Sequence, residues 1–500
     1  MRPSIPTLVL AACLSFAMPQ VHAKAPEAPK DTQPRKAAAG QRLAFANKPW
    51  TGDFDKMLER RIIRVYAPYS RSLYFVDKGR ERGLEAELVR DFERWVNSKY
   101  AKQLGKRPVT VYIIAANRGT MLTELRDGMA DIAVGNLTVT EDREKLIDFV
   151  APDEGGVNTE ILVNGPVAPP VPTVEDLSGR TVHVRKSSSY YGSLVALNER
   201  LEKAGKPPVD LVLVPDALED EDMLEMLNSA LLQSIVVDEW KARLWAQVLP
   251  RVKVRSDIVL RPPTKKGWAV REDSPKLQAA LHDFYKSWVK KSGVIPYRQK
   301  QYMATIKLLH NPSDDADEKR FQETISLFEK YGKQYGFDPL MLAAQGYQES
   351  MLDQRKRSSA GAIGVMQIMP ATGASLKVGN IKVTEPNIHG GAKYMNHLMT
   401  QYFQDAKFDD QNRTLFAFAS YNAGPTNIQK MRTEAARRKL DPNLWFANVE
   451  LVTAEKIGIE TTTYVRNIFK YYVSYKLTQD AKAHALRMRR QVDTPGKQDR

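Results

Sequence analysis

In QESMLDQRKRSSAGAIGVMQIMP, residues 348–370, one glutamate, Glu349, closes an apolar stretch and stands directly before Ser350. Upstream, Asp338-Pro339 is a strong helix start, an acid to cap the first turn and a proline for its first position. The helix then reads LMLAAQGYQES, with Leu340, Ala343, Ala344 and Tyr347 on a packed face and Glu349 at its end. A carboxyl group shielded by such a helix has its charged form disfavoured, which raises its pKa. That is what a general acid needs near neutral pH. The helix alone is read more simply as ending in an exposed glutamate. Glycosidases ordinarily use two carboxyl groups. The nearest second one is Asp353, four residues on, where the chain should have left the helix, and a loop acid facing Lys356 or Arg357 is its expected role. The seven histidines show no HExxH spacing, and the only cysteine is Cys13, so neither a metal nor any other cofactor is expected.

The residues around Glu349 fall into ordered motifs. Glu349-Ser350 is followed by Ser358-Ser359-Ala360-Gly361, then Gly364-Val365-Met366-Gln367 with Met369, then Tyr421-Asn422-Ala423-Gly424, and last Glu460 ahead of Tyr464-Val465. This set resembles the soluble-lytic-transglycosylase type of catalytic domain, a goose-lysozyme-like all-α fold acting on peptidoglycan. The resemblance covers roughly residues 325–478. It implies that Glu349 is the single catalytic acid, serving afterwards as base. It also implies that Ser358 hydrogen-bonds the substrate and that Gln367 and Met369 line the groove, Met369 being equally well placed for the core. Tyr421 and Asn422 would shape the site, and Glu460 is the matching acid of the last motif. With one carboxyl group, the attacking nucleophile in such a family is the muramic acid's own 6-hydroxyl, which yields a 1,6-anhydro sugar. Two alternatives stand beside this reading. One is a lysozyme-like hydrolase using the same glutamate and a water, and the other is a solute or wall receptor without catalysis.

A second group of residues is suited to holding a small zwitterion. In DIAVGNLTVTEDREKLIDFVAP, Thr138 and Arg143 follow Gly135, and an arginine fork matches a carboxylate. GRTVHVRKSSSYYGSL carries Ser187 to Ser189, and IVVDEW carries Asp238. The plainer alternatives are an ion pair of Arg143 with Glu141 or Asp148, and a helix cap for Asp238. These stretches resemble the extracellular solute-binding module of amino-acid transporters over about 57–303. The resemblance implies that Arg143 and Thr138 take a ligand carboxylate, that Asp238 meets its ammonium, and that Ser188 lies near the cleft, with Tyr66 and Tyr69 free to stack. An amino acid or a wall-derived peptide is the ligand class. The whole-chain layout is similar to the membrane-bound lytic murein transglycosylase F family, in which the front module is regulatory.

The elements needed to position these residues are legible. From about Phe54 to Lys307, short β-branched runs alternate with amphipathic helices, which predicts βαβ units, a largely parallel sheet and two α/β lobes. Strand candidates are RIIRVYAP, PVTVYIIA, DIAVGNLT, RTVHVRKS, DLVLVP, SIVVDEW and RVKVRSDIVL. After the polar stretch HNPSDDADEKR the strand signal stops, and residues 319–478 carry helical spacing. The expected fold class is therefore multidomain, a two-lobed periplasmic-binding-protein-like α/β module followed by an all-α lysozyme-like domain. The expected boundaries are a signal peptide over 1–23, a disordered linker over 24–53, the module over 54–307, a connector over 308–318, the catalytic domain over 319–478 and a basic disordered tail over 479–500. MRPSIPTLVLAACLSFAMPQVHA has the charge, apolar run and small-residue end of a secretory signal. Cys13 lies inside its apolar run, which argues against a lipoprotein box. Five hundred residues with a net charge of +15 and no interleaved Arg-aromatic run predict no nucleic-acid partner and an attraction to anionic wall polymer or lipid. Peptidoglycan strands are the expected substrate. The expected location is the periplasm, peripherally attached to the inner face of the outer membrane.

Overall fold

The structure is a computed structural model that describes residues 48–152, 157–289 and 315–492. The signal segment with Cys13, most of the 24–53 linker, the greater part of the 308–318 connector and residues 493–500 lie outside the described residues.

The front module is built on eleven strands: β1 (Ile62–Pro68), β2 (Phe75–Asp77), β3 (Arg80–Arg82), β4 (Thr110–Ala116), β5 (Ile132–Thr138), β6 (Asp148–Val150), β7 (Val157–Asn164), β8 (Thr181–Val184), β9 (Asp210–Leu213), β10 (Ser234–Asp238) and β11 (Lys253–Val270). Their order is β4-β1-β5-β11-β7-β10-β8-β9, with β6 beside β11 and β2-β3 a separate hairpin. Within each lobe the neighbours are parallel as expected: β1 with β4 and β5, and β8 with β9 and β10. The parallel expectation stops at the centre. β11 runs antiparallel to β5, β6 and β7, and β7 antiparallel to β10. β11 therefore passes from one lobe into the other. Its first part pairs with β7, and Lys266 begins the part that pairs with β5, opposite Thr138. The sequence reading ended this strand at Leu260, before Pro262-Pro263. Those prolines fall where the β11–β7 register shifts between Arg261 and Thr264, a place where a missing N–H costs no regular ladder bond.

Lobe 1 packs the helix Leu84–Lys99 through Val89, Phe92, Trp95 and Val96 onto Val65, Val111, Trp268 and Phe284. Trp50 already belongs to this lobe: its N–H donates to Gly128 O at 2.8 Å and Arg60 lies 3.5 Å over its ring. The module thus starts before the residue 54 that the sequence suggested.

The catalytic domain is helical, as its 3.6-residue spacing required. The first helix, Asp315–Tyr335, starts inside the segment read as a connector. The second, Pro339–Ser350, has Asp338 accepting from Leu340 N at 2.8 Å as its cap. It packs between the first helix and the last, and helices Thr384–Tyr402, Asp410–Ala423 and Pro425–Arg437 complete the domain. The last helix, Ile459–Val492, continues well past 478 into the segment read as a disordered tail. Ala, Lys, Leu, Arg and Met in AKAHALRMRR are strong helix formers, and the helix runs on through them.

Lobe 2 and the catalytic domain share one continuous apolar cluster. Polar contacts reinforce the junction. The acidic helix Asp220–Asn228 of lobe 2, buried along its whole length, faces the last helix. There Lys470 Nζ donates to Glu225 Oε2 at 2.6 Å, and Arg466 Nη1 to Asp222 Oδ2 at 3.2 Å. Lobe 1 reaches the same region through its hairpin: Lys78 N–H donates to Ala454 O at 3.0 Å, and Asp77 Oδ1 accepts from Ile459 N at 3.2 Å.

Candidate active site and ligand cleft

Glu349 occupies the last turn of Pro339–Ser350, half-buried, where Tyr464 of the last helix donates its hydroxyl to Oε1 at 2.5 Å. Burial raises its pKa to about 7, against a smaller downward pull from the Tyr464 hydrogen bond. The helix stops because Met351 and Leu352 both turn left-handed, at φ 58° and 59°. Ser350, buried next to Glu349, donates to Gly346 O at 3.1 Å and Val365 O at 2.9 Å, which ties the glycine loop to the helix end. This gives the Glu-Ser pair a physical basis: the serine fixes the loop against the turn that carries the glutamate.

The loop 353–369 is held from inside. Asn387, fully buried, donates to Ile363 O and Ile381 O at 2.8 and 2.9 Å and accepts from Met366 N at 2.8 Å. Gly364 is required there: its φ is +79°, and a Cβ would come within 2.6 Å of the Asn387 amide. Ser358 accepts from Ala362 N at 2.9 Å. Gln367, at φ 45°, donates to Gly364 O at 2.8 Å. Met369 is 43% exposed, which removes the core alternative for it. Asp353 has indeed left the helix, but its partner is Arg355 rather than Lys356 or Arg357. It closes an Asx-type turn onto Arg355 N at 2.9 Å, the local bond that a short acid in a turn favours, and its pKa is lowered by Arg355. Tyr421 donates to Met366 O at 2.7 Å and packs edge-on against Tyr394 at 5.3 Å. Asn422 accepts from Thr461 Oγ1 at 2.8 Å, and with Glu460, which is exposed, it lines a cavity of about 390 Å³ that also takes in Asp77 and Lys78. Glu349, Tyr421 and Tyr464 thus stand together, and Ser358, Gln367 and Met369 belong to the loop pinned beside them. Tyr464 was missed as a site residue. Its signal was present, since it lies four residues, about one helical turn, after Glu460.

The second group lies between the lobes of the front module. Thr138, Arg143, Ser188 and Asp238 line one cavity of about 40 Å³, room for a few waters and too small for an amino acid. Arg143 pairs with neither Glu141 nor Asp148; it donates to Thr138 O at 2.9 Å. Ser188 caps the helix Ser189–Lys203, accepting from Tyr191 N at 3.3 Å. Asp238 is engaged: Lys266 Nζ donates to its Oδ1 at 3.0 Å, and Asn136 Nδ2 donates to its Oδ2. Tyr66 does not line the cleft. It is buried in the small core with Met121, Leu125 and Leu137, because at its place in β1 the side chain points under the sheet. Tyr69 is carried instead to the catalytic domain, with the Arg466 guanidinium 5.6 Å from its ring. The sequence reading also missed Arg118, Arg185, Lys241 and Lys266, which line the cleft. Arg118 lies in the turn after β4 and Arg185 just after β8, two residues before Ser187, while Lys241 and Lys266 lie inside a helix and a strand.

Residues 63–305 match the family model of bacterial extracellular solute-binding proteins, family 3, and residues 326–443 match that of the transglycosylase SLT domain. Among solved structures, an ancestral arginine-binding protein bound to arginine covers 49% of this chain and 98% of its own, at 21% identity and a TM-score of 0.38. Proteins named membrane-bound lytic murein transglycosylase F are similar over most of the chain. That of Pseudomonas fluorescens is 28% identical over 80% of this chain and 79% of its own. That of Desulfosudis oleivorans is 26% identical over 83% and 90%. With both modules matched in order, the chain is similar over most of its length to the membrane-bound lytic murein transglycosylase F proteins, an SLT domain behind a family 3 solute-binding module.

Proposed function

We propose that this lytic transglycosylase cleaves the bond between N-acetylmuramic acid and N-acetylglucosamine in peptidoglycan strands, with Glu349 as acid and then base. The observation that carries the reading is the Glu349 carboxyl, raised to about 7 by burial, with a phenol as its hydrogen-bond partner. Protonated Glu349 gives its proton to the leaving glycosidic oxygen as the C1–O bond breaks. The muramic 6-hydroxyl closes on C1, and its proton returns to the Glu349 carboxylate. No water is consumed. Asp353, tied to Arg355, has no part in this, which is why an internal nucleophile suits the site better than an activated water. Ser358, Gln367, Met369, Tyr421, Asn422 and Glu460 are assigned to the glycan groove, and the exposed Met369 offers an apolar sugar contact. Mass spectrometry of sugar ends after digestion of purified peptidoglycan tests this. Anhydro-muramoyl ends, one water lighter than reducing ends, are expected; mainly reducing ends would point to a hydrolase.

Tyr464 is a positioning residue in this scheme. Its hydroxyl favours the charged form of Glu349, so Tyr464→Phe leaves burial to act alone and moves the Glu349 pKa above about 7. The alkaline limb of the kcat/KM profile should shift upward. An unmoved limb would separate Tyr464 from the titration of Glu349.

The front module is assigned a ligand-sensing role, with Arg143 and Thr138 at the ligand carboxylate. The acidic helix Asp220–Asn228 supports it. Asp220 ion-pairs with Arg185 and Lys241 at the cleft, while Asp222 and Glu225 reach Arg466 and Lys470 on the helix that carries Tyr464. A ligand acts through this route only by binding two conformations unequally. The chain is placed in the periplasm, attached peripherally to the inner face of the outer membrane; the relatives named above are called membrane-bound, and no helix among the described residues is long and apolar enough to cross a membrane.

A further inference from the structure

The cleft of the front module holds its own ammonium. Lys266 enters at the point where β11 passes from lobe 2 to lobe 1, in register with Thr138. It is 8% exposed, and its Nζ donates both to Thr138 Oγ1 and to Asp238 Oδ1. Asn136 takes the other Asp238 oxygen, and Thr138 Oγ1 also meets Ser189 Oγ at 3.2 Å. A ligand ammonium arriving at Asp238 would find both carboxylate oxygens occupied and a fixed cation beside them.

The other side of the cavity has the opposite character. Arg143 has a backbone carbonyl as its partner and no carboxylate in ion-pair distance among the described residues. Arg185 is 3% exposed, and its Nε and Nη1 are buried without hydrogen-bond partners; so is Arg118 Nη2. Five basic side chains line the cavity against the carboxylates of Asp220 and Asp238, with Glu219 behind, paired to Arg118 at 2.9 Å. Unpaired buried guanidinium N–H groups are costly, and an incoming anion satisfies them.

We propose that Lys266 is a built-in substitute for the ligand's ammonium, so that the module selects carboxylates whose neighbouring nitrogen is acylated or absent and discriminates against free amino acids. This rests on the reading of the cleft as a ligand site. Free amino acids bring a second cation to a place that holds one, whereas an N-acyl carboxylate brings only an anion, which Arg143 lacks and which the N–H groups of Arg185 and Arg118 left over from their pairs with Asp220 and Glu219 can also meet. The cavity of about 40 Å³ requires the lobes to part for entry, which breaks the Asn136–Asp238 and Arg118–Glu219 bonds and leaves Lys266 at the hinge.

Titration calorimetry on the full exported chain tests this with two probe sets: L-alanine and L-glutamate, and their N-acetyl derivatives. The native chain should bind an N-acetyl form at least about tenfold more tightly than its free counterpart. Lys266→Ala should reverse the preference, and methylammonium chloride should raise its melting temperature where sodium chloride does not. Lys266→Gln, which keeps a donor toward Asp238, is the second variant should the alanine form fail to fold; it should lose the discrimination against free amino acids. Native binding of free amino acids as tight as that of the acetylated forms would overturn the Lys266 proposal and leave the ligand-site reading intact. A response of the Lys266 variants to amino acids or methylammonium, with none of the probes binding the native chain, would uphold Lys266 as the occupant. No response from any chain to any probe would overturn both.

Discussion

Glu349→Gln lowers peptidoglycan cleavage by about 10²–10⁴-fold, the usual worth of a positioned acid–base group, while the fold is retained. The amide keeps the shape and still accepts from Tyr464, but it carries no transferable proton. The native pH profile should agree. With its pKa at about 7, Glu349 is protonated below that value, so kcat/KM should fall as pH rises through it. Stability gives an independent reading of the same group. A carboxyl raised from 4.5 to about 7 in the folded chain contributes stability that is full below its unfolded value and is lost as pH rises through the folded one. Glutamine does not titrate. The Gln variant should therefore gain melting temperature relative to the native chain between about pH 5 and about pH 8. A variant that clears peptidoglycan at near-native rates places the acid elsewhere. Equal melting curves across that range would mean that Glu349 is not buried as described.

Much of this site was legible because local chemistry determined it. The Asp338-Pro339 start, the apolar face of the helix and the glycine loop after Glu349 each follow from propensities within a few residues, and the ordered motifs fixed their grouping. The fold class was legible for the same reason: period-2 and period-3.6 patterns separate the two halves cleanly. What escaped was non-local. Tyr464 meets Glu349 from 115 positions away, and only the packing of two helices brings them together. Asp238 reads as an open acid in IVVDEW, and Lys266 reaches it only because β11 crosses between the lobes. β7 was missed because Asn158, Thr159 and Glu160 interrupt the apolar run of VNTEILVN, although both of its edges are paired in the sheet. The tail 479–492 was misjudged because charge was weighed above helix propensity.

The junction between the modules gives the second large effect. Lys470 is 1% exposed and holds Glu225 at 2.6 Å and Asp222 at 3.1 Å across the interface. Lys470→Met fills similar space but leaves two buried carboxylates short of a cation. Removing one partner of a buried pair costs about 3–5 kcal/mol, and Arg71 and Arg466, which remain beside Asp222, place the expected loss toward the lower figure. These cations hold the Asp222 carboxyl well below the usual range, so its contribution is full at neutral pH and disappears only in strong acid. Melting at neutral pH should therefore shift downward, and hydrogen exchange should quicken in Asp220–Asn228 and in the first half of the last helix. Adding Glu225→Gln to Lys470→Met should restore part of the loss, because the second change removes a charge that the first left unpaired. Unchanged exchange in Asp220–Asn228 would mean that the acidic helix does not depend on the catalytic domain in solution, and the route from cleft to Tyr464 would then lack its central contact.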